Sequence, residues 1–163
     1  MPHSTFNWVD VLVIILLIRA GFVGWTKGLT LEFFKFIGIV VTMFVSLRFY
    51  DNLSSWTQTR FLIPETYGDF IWFIILAATC ILTIKLASIF LEKVVQLKFS
   101  ASIEKPGGLS LGILRGILGT SLIIFAITLI HLEYLRTSVE RSFLGYWLSR
   151  IPVELHSWFF KVF

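Results

Sequence analysis

The chain has 163 residues, of which 56% are hydrophobic and 15% charged, and its formal net charge is +4. Counted with glycine and without tyrosine, its apolar share is about 60%, against about 45–50% in soluble domains. So small a body has too much surface to hide this excess, which excludes an ordinary soluble domain and favours a membrane protein. The single cysteine, Cys80, excludes an internal disulfide and a thiolate metal site.

Four stretches are long and apolar enough to cross a bilayer, which takes about 20 mostly apolar helical residues. They cover residues 8–25, 29–49, 70–91 and 109–130. Only three residues separate the first two stretches, which indicates a tight antiparallel hairpin. We therefore predict an all-α membrane protein, with four transmembrane helices in an up-and-down bundle, as a single membrane domain over residues 1–163.

Two polar connections join the later spans. Residues 51–69 contain Pro64 with several Ser and Thr residues, and residues 93–108 end in Pro106-Gly107-Gly108. Proline and glycine are the strongest breakers of a helical pattern. We expect the Pro-Gly-Gly sequence to end any helix before the fourth span begins.

The C-terminal segment, about residues 138–162, has a different pattern. Its large apolar residues recur at steps of three or four, beginning with Phe143 and Trp147, and polar residues lie mostly between them. This pattern, interrupted by Pro152, predicts an amphipathic helix lying in the membrane interface. The alternative is a tail that packs against the bundle.

Each span carries a basic residue six positions from the end nearest the first hairpin or the third connection. We call these four residues, Arg19, Lys35, Lys85 and Arg115, the basic layer. In an up-and-down bundle their span ends share one membrane face, so the four residues lie at a common depth of about 9 Å. A cation at the middle of a membrane helix costs at least about 2.5–3.5 kcal/mol, so such residues pair, snorkel or serve a function.

The direction of helical side chains separates the basic layer into two pairs. Side chains lean toward the helix N-terminus, which takes Lys35 and Arg115 toward the nearby surface and turns Arg19 and Lys85 inward. We therefore expect Lys35 and Arg115 to snorkel, and Arg19 and Lys85 to be the better candidates for a buried polar role.

Carboxylate partners for these cations are few. Glu32 lies three residues before Lys35 on the same helix face, so the two can form a local pair. Asp10 lies nine residues from Arg19, points the opposite way and is nearer the other membrane face, so it cannot neutralise Arg19. Two interpretations stay open: a functional polar cluster, or snorkelling with structural pairing.

Glycines recur at steps of three and four in the first and fourth spans, a spacing that lets helix backbones approach closely in lipid. The predicted helix-packing residues are Gly21, Gly24, Gly28, Gly108, Gly112, Gly116 and Gly119. Arg115 lies on the same face of the fourth span, so this contact would carry it toward a neighbouring helix.

Catalytic and metal motifs are weak. The run from Gly108 to Gly112 matches the G-x-S-x-G nucleophile pattern, but Ser110 opens a transmembrane helix and His131 lies about 31 Å along it. The three histidines lack ligand spacing. We expect no enzyme activity, no cofactor and no metal, and the modest charge spread along the chain gives no basis for nucleic-acid binding.

Three motifs in order resemble a known family. They are Asn7-Trp8-Val9-Asp10 at the start of a span, Lys27-Gly28 followed by Glu32 at the hairpin, and Gly108-x-x-x-Gly112-x-x-Arg115-Gly116 in the fourth span. Over about residues 7–160 the chain resembles the CvpA family, the colicin V production proteins of bacterial inner membranes.

This resemblance implies a location and a broad role. The family is named for a requirement in toxin production or export, which implies a non-enzymatic inner-membrane accessory protein that serves toxin production, export or envelope homeostasis. Its expected partners are the lipid bilayer and a second copy or an export or envelope membrane protein. The alternative is a small oligomeric channel or transporter, in which Arg19, Lys85, Arg115 and Glu32 line a polar path.

Topology follows from sorting the basic residues by side. The hairpin side carries eight of them, against four on the other side that lie close enough to a span to count in the positive-inside rule. Loop residues alone give a tie. Some members of the family resemble anchors of periplasmic proteases, which favours the same orientation. We predict a cytoplasmic hairpin, both termini in the periplasm, and the aromatic tail on the outer leaflet.

Overall fold

The computed structural model describes residues 6–61, 65–94, 101–130 and 132–162, and this part of the chain forms six helices. In chain order they are α1 (Trp8–Lys27), α2 (Leu29–Phe61), α3 (Glu65–Val94), α4 (Ala101–Leu129), α5 (Glu133–Arg141) and α6 (Phe143–Val162). Each of the first four contains a stretch long and apolar enough to cross a membrane. The predicted all-α membrane fold with four spans is confirmed.

Local signals place both ends of α1. The Asn7 side chain accepts a hydrogen bond from the Trp8 N–H at 2.7 Å, and the Asp10 carboxylate accepts one from the Asn7 N–H at 2.9 Å, which together cap the helix. The helix ends at Gly28, whose N–H donates to the Gly24 carbonyl at 3.0 Å. Gly28 has φ +83°, a conformation that favours glycine, so one residue is enough to turn the chain into α2.

The helices extend farther than the predicted spans. Residues 51–61, predicted as part of a polar connection, continue α2, because the run from Asp51 to Phe61 contains no glycine or proline to stop it. Ser54 and Thr57 of this extension are buried, and the Thr57 hydroxyl donates to the Leu53 carbonyl at 2.7 Å. Pro64 lies outside the described residues.

The prediction that Pro106-Gly107-Gly108 breaks the chain before the fourth span is wrong. α4 already begins at Ala101 and continues through all three residues. Proline inside a helix removes one backbone hydrogen bond. The two glycines lie where α4 meets the α1–α2 hairpin, and a Cβ on Gly107 would come within 2.9 Å of the Leu29 side chain. This close packing compensates for the hydrogen bond lost at Pro106. The Pro-Gly-Gly sequence therefore lets α4 approach the hairpin and does not end the helix.

The spans lie side by side in the order α1, α4, α2, α3. α1 packs mainly on α4, and α2 packs on both α3 and α4, whereas α3 contacts α4 only slightly. Two apolar clusters fill the contacts. One lies among α1, α4, α5 and α6 and contains Val9, Val13, Ile124, Val139 and Leu148. The other lies among α2, α3 and α4 and contains Met43, Phe73, Leu122 and Ala126.

The tail is amphipathic, as predicted, and it forms two helices that pack on the bundle. Pro152 lies buried inside α6 and does not end it. Leu148 is also buried, and the Ser121 hydroxyl of α4 donates to its carbonyl at 2.7 Å. Phe143 and Trp147 lie on the exposed face. The tail thus packs against the bundle and keeps an apolar outer face, and its place in the membrane interface stays a prediction.

Candidate functional site

One buried carboxylate joins α2 to α4 near the hairpin side of the bundle. The Glu32 side chain is 0% exposed, and its Oε2 accepts a hydrogen bond from Arg115 Nε at 2.7 Å. Its Oε1 accepts one from Lys35 Nζ at 2.9 Å. We call these three residues the Glu32 cluster. Each carboxylate oxygen binds one cation, so the cluster keeps a net positive charge of one.

The cluster combines a local and a distant partner. Glu32 lies in the first turn of α2, where the helix dipole stabilises a carboxylate, and Lys35 follows on the same face. The predicted local pair of these residues is present. Arg115 comes from α4, which the packing of α4 on α2 brings against Glu32. Removing one partner of such a pair costs about 3–5 kcal/mol, because an uncompensated buried charge remains.

The expectation that Arg19 and Lys85 are the buried members of the basic layer is wrong. Arg19 and Lys85 are exposed, whereas Lys35 and Arg115 are each only 26% exposed and bind Glu32. The lean of a side chain toward the helix N-terminus determines its position along the axis only. The rotation of each helix decides which side chains meet a partner, and this rotation brings Lys35 and Arg115 to the buried carboxylate.

Two cavities adjoin the Glu32 cluster. The first, which we call the α3 cavity, has a volume of about 370 Å³ among α2, α3 and α4 and is lined by Lys27, Lys35, Lys85 and Arg115. The second, the α1 cavity, has about 280 Å³ between α1 and α4 and is lined by Arg19 and Arg115. Arg115 lines both cavities. The four residues of the basic layer therefore line two adjoining spaces in the bundle.

Sequence reasoning missed two hydroxyl residues of the α3 cavity. Thr42 and Ser88 are both buried and line it, and the Thr42 hydroxyl donates to the Gly38 carbonyl at 2.9 Å. Thr42 lies seven residues after Lys35, and Ser88 three after Lys85, so helical spacing places each hydroxyl on the face of a basic residue. This spacing was the signal that could have found them.

Near the hairpin, the contact between α1 and α4 is made by backbone. A Cβ on Gly24 would lie 2.9 Å from the Gly112 Cα, and a Cβ on Gly112 would lie 2.7 Å from the Ala20 carbonyl oxygen. The space beside Gly108 is closed by the backbone of Gly24 and Gly28. Real Cβ atoms essentially never approach so closely, so larger residues at these positions would force the helices apart.

The other predicted packing glycines differ among themselves. A Cβ on Gly116 would lie 2.6 Å from the Ala20 Cβ, and one on Gly28 would lie 2.8 Å from the Glu104 side chain. Gly21 has slightly more room, with Leu109 at 3.2 Å. A Cβ on Gly119 would meet no α1 atom within 4 Å, and its nearest neighbour, Ile39 of α2, would lie at an ordinary distance of 3.9 Å. The close contact therefore ends before Gly119.

Asp10 forms a second buried polar site, at the opposite end of α1, and is 1% exposed. Its Oδ1 accepts hydrogen bonds from the Ser142 hydroxyl and the Leu144 N–H, both at 2.8 Å. The Asn7 side-chain amide donates to the Ser138 carbonyl at 3.3 Å. Asp10 thus fastens the start of α1 to the start of α6. Sequence reasoning separated it from Arg19 and missed these partners, because no periodicity relates such distant positions.

The motif that resembles a nucleophile elbow lies in regular helix. Ser110 is exposed, and its hydroxyl donates to the Pro106 carbonyl at 3.1 Å. Within the described ranges, no group of three or more His, Cys, Asp or Glu residues could hold a metal ion. The polar groups that the fold does bring together are the Glu32 cluster with the cations around it, and Asp10 with its partners in the tail.

Four apolar spans, a backbone contact between two of them and a charged cluster within the bundle define a small multi-pass helical membrane protein. The family model described as colicin V production protein matches residues 9–152, which is most of the chain. The chain therefore belongs to the colicin V production protein family, in agreement with the resemblance of its motifs. No curated protein and no solved structure gave a match in the comparisons.

Proposed function

We propose that this protein is a non-enzymatic accessory protein of the bacterial inner membrane, which supports toxin production or export, or envelope homeostasis, by binding a second membrane protein or a second copy through its helices. The observation that carries this proposal is the open face of α3. Only 6% of its apolar stretch is buried, against 28–33% in the other three spans. α3 therefore has most of its surface available to another helix.

The open face of α3 carries a stripe of small residues. Thr79, Thr83 and Ala87 follow each other at steps of four, and all three are exposed. The two hydroxyls donate to carbonyls of their own helix, at 2.7 Å to Ile75 and 2.8 Å to Thr79, so they leave no polar donor facing lipid. Small residues at this spacing let another helix approach closely. The corresponding stripe of α1 is already covered by α4.

A role without catalysis is supported by the use of the buried carboxylates. Glu32 has both oxygens bound to cations, and Asp10 has both oxygens bound within a helix cap and an interhelix link. Carboxylates whose oxygens are all paired in this way hold helices together and are not positioned to exchange protons with a substrate. This commitment favours an interaction protein over an enzyme.

The proposed orientation places the hairpin in the cytoplasm and both termini in the periplasm. The α3 cavity lies near the hairpin, and the four cations that line it add positive charge to that side. A fluorescent protein that matures only in the cytoplasm, fused after Phe163, should therefore stay dark. A bright fusion would reverse the orientation.

Site-directed cross-linking in native membranes tests the contact proposed for α3. In a Cys80→Ser background, Thr83→Cys should give a specific cross-linked product, with a second copy or another membrane protein. Ile18→Cys on α1, where the native side chain is 67% exposed, serves as the control for random collisions in lipid. Equal products from both positions, or no product from Thr83→Cys, would contradict the proposal.

The physiological part of the proposal needs cells that lack the chain. Restoring it should recover toxin release or resistance of the envelope to detergent, and Thr83→Leu should recover less because its bulk blocks close helix approach. Ile18→Leu should recover both fully. Full recovery by both variants would show that the cellular role does not need close helix approach at the α3 face.

An oligomeric channel or transporter is a second candidate, favoured by the two cavities that meet at Arg115. Four helices enclose little space of their own, and Glu32 holds Arg115 between these cavities, so this candidate requires an oligomer. Proteoliposomes containing the purified protein should show solute flux that depends on Arg19 and Lys85. Absence of flux would exclude this candidate.

A further inference from the structure

The α3 cavity has more positive than negative charge. Four cations line it, Glu32 beside it binds Lys35 and Arg115, and the Glu104 carboxylate lies against Gly28, next to Lys27. Among the described residues, no carboxylate lies within 4.0 Å of Lys27 or Lys85. A cation in a membrane is costly unless it pairs with an anion, so the two lysines favour an anionic ligand.

The cations are arranged by depth. Lys27 is the last residue of α1, Lys35 lies about 9 Å along α2 from its start by the helical rise, and Lys85 follows Ile84, which packs on Gly38 of the next turn of α2. They form a positive path from the surface into the cavity. A phosphate group presents several anionic oxygens and can bind more than one cation at once, which suits such a path.

Apart from its cations and the hydroxyls of Thr42 and Ser88, the cavity is apolar, and it is open along α3. Ile39, Ile84 and the exposed Ile81 and Ile89 line it, and Lys85 lies between the last two on the same helix face. A free anion would gain nothing from these isoleucines, whereas acyl chains could pack along them beside a bound head group. The volume of about 370 Å³ lies within the usual range for small-molecule sites.

From this arrangement we propose that the α3 cavity binds the phosphate head group of an anionic lipid, with Lys85 and Lys27 as the principal cations and the acyl chains along Ile81 and Ile89. Basic pockets between transmembrane helices bind anionic head groups in this way. At 100° per residue, this face of α3 is centred roughly 160° from the stripe at Thr83, so a lipid and a partner helix can bind together. This site therefore does not depend on the proposed function.

Lipid titration of the purified full chain in detergent tests this site. Phosphatidylglycerol, zwitterionic phosphatidylcholine and inorganic phosphate are added separately, and bound ligand is counted by native mass spectrometry. We expect phosphatidylglycerol to bind most tightly. Lys85→Gln should weaken its binding about tenfold, the loss of one charge-assisted contact. Lys27→Gln should weaken it as well, and Lys85→Arg should retain it.

Arg141→Gln is the matched control, because Arg141 is an exposed cation of α5 that lies outside the α3 cavity. It should leave the binding of phosphatidylglycerol unchanged. Equal effects of Lys85→Gln and Arg141→Gln, or equal binding of phosphatidylglycerol and phosphatidylcholine, would overturn the site. Inorganic phosphate that binds as tightly as phosphatidylglycerol would overturn the assignment to a lipid.

Discussion

The α1–α4 pair and the α2–α3 pair associate by different means. Between α1 and α4 the backbones touch at Gly24 and Gly112, and side chains pack on either side of this point. Between α2 and α3 the contact is made by side chains, with the rings of Tyr50 and Phe73 packed edge to face at 6.0 Å. In lipid no hydrophobic force drives helices together, so close packing of small residues stabilises the contact of α1 with α4. The second pair can adjust its side chains, and it leaves α3 open.

The Glu32 cluster links the two pairs of helices, and a substitution there should destabilise the molecule more than the others. Glu32→Gln leaves Arg115 and Lys35 without a counterion at the contact of α2 with α4, which should lower the free energy of unfolding by about 3–5 kcal/mol. Unfolding in mixed micelles measures this loss. Glu140→Gln, in an exposed pair with Arg136, should cost less than about 1 kcal/mol. Similar losses at Glu32 and Glu140 would show that the cluster does not join the pairs.

A bulky residue in the backbone contact should separate α1 from α4. Gly112→Leu places a side chain where a Cβ alone would come within 2.9 Å of the Gly24 Cα, and should cost about 3 kcal/mol of unfolding free energy. Ile123→Leu is the control, because Ile123 lies on the same helix and is 47% exposed. Equal thermal stability of the two variants would mean that the glycine stripe faces lipid.

The link from α1 to the tail should have a smaller effect. Asp10→Ala leaves the Ser142 hydroxyl and the Leu144 N–H without their acceptor, which should cost about 1–3 kcal/mol. Proteolysis of the tail should also become faster, because α6 loses its fastening to α1. Glu133→Gln, exposed in the first turn of α5, is the control. Unchanged proteolysis of Asp10→Ala would contradict the fastening role.

The sequence predicted those features that depend on neighbouring residues. Apolar length gave the four spans, and spacing along one helix face gave the pair of Glu32 with Lys35. It did not predict Arg115 as the partner of Glu32, because these residues are 83 positions apart and only the rotation of two packed helices brings them together. The prediction of a helix break at Pro106 failed for a related reason. Local preferences say that proline and glycine disfavour helix, but they do not include the close contact between helices that Gly107 and Gly108 permit.

The most direct test of the account is one substitution made inside and outside the backbone contact. Gly24→Ala meets the backbone of Gly108 and Gly112, whereas Gly119→Ala, farther along α4, meets only the end of the Ile39 side chain at an ordinary 3.9 Å. Alanine gains up to about 1 kcal/mol over glycine in a helix, so we expect Gly119→Ala to be neutral or stabilising. Gly24→Ala should lower the free energy of unfolding by about 1–2 kcal/mol. Equal effects of the two substitutions, or a larger loss for Gly119→Ala, would contradict a backbone contact that holds α1 to α4.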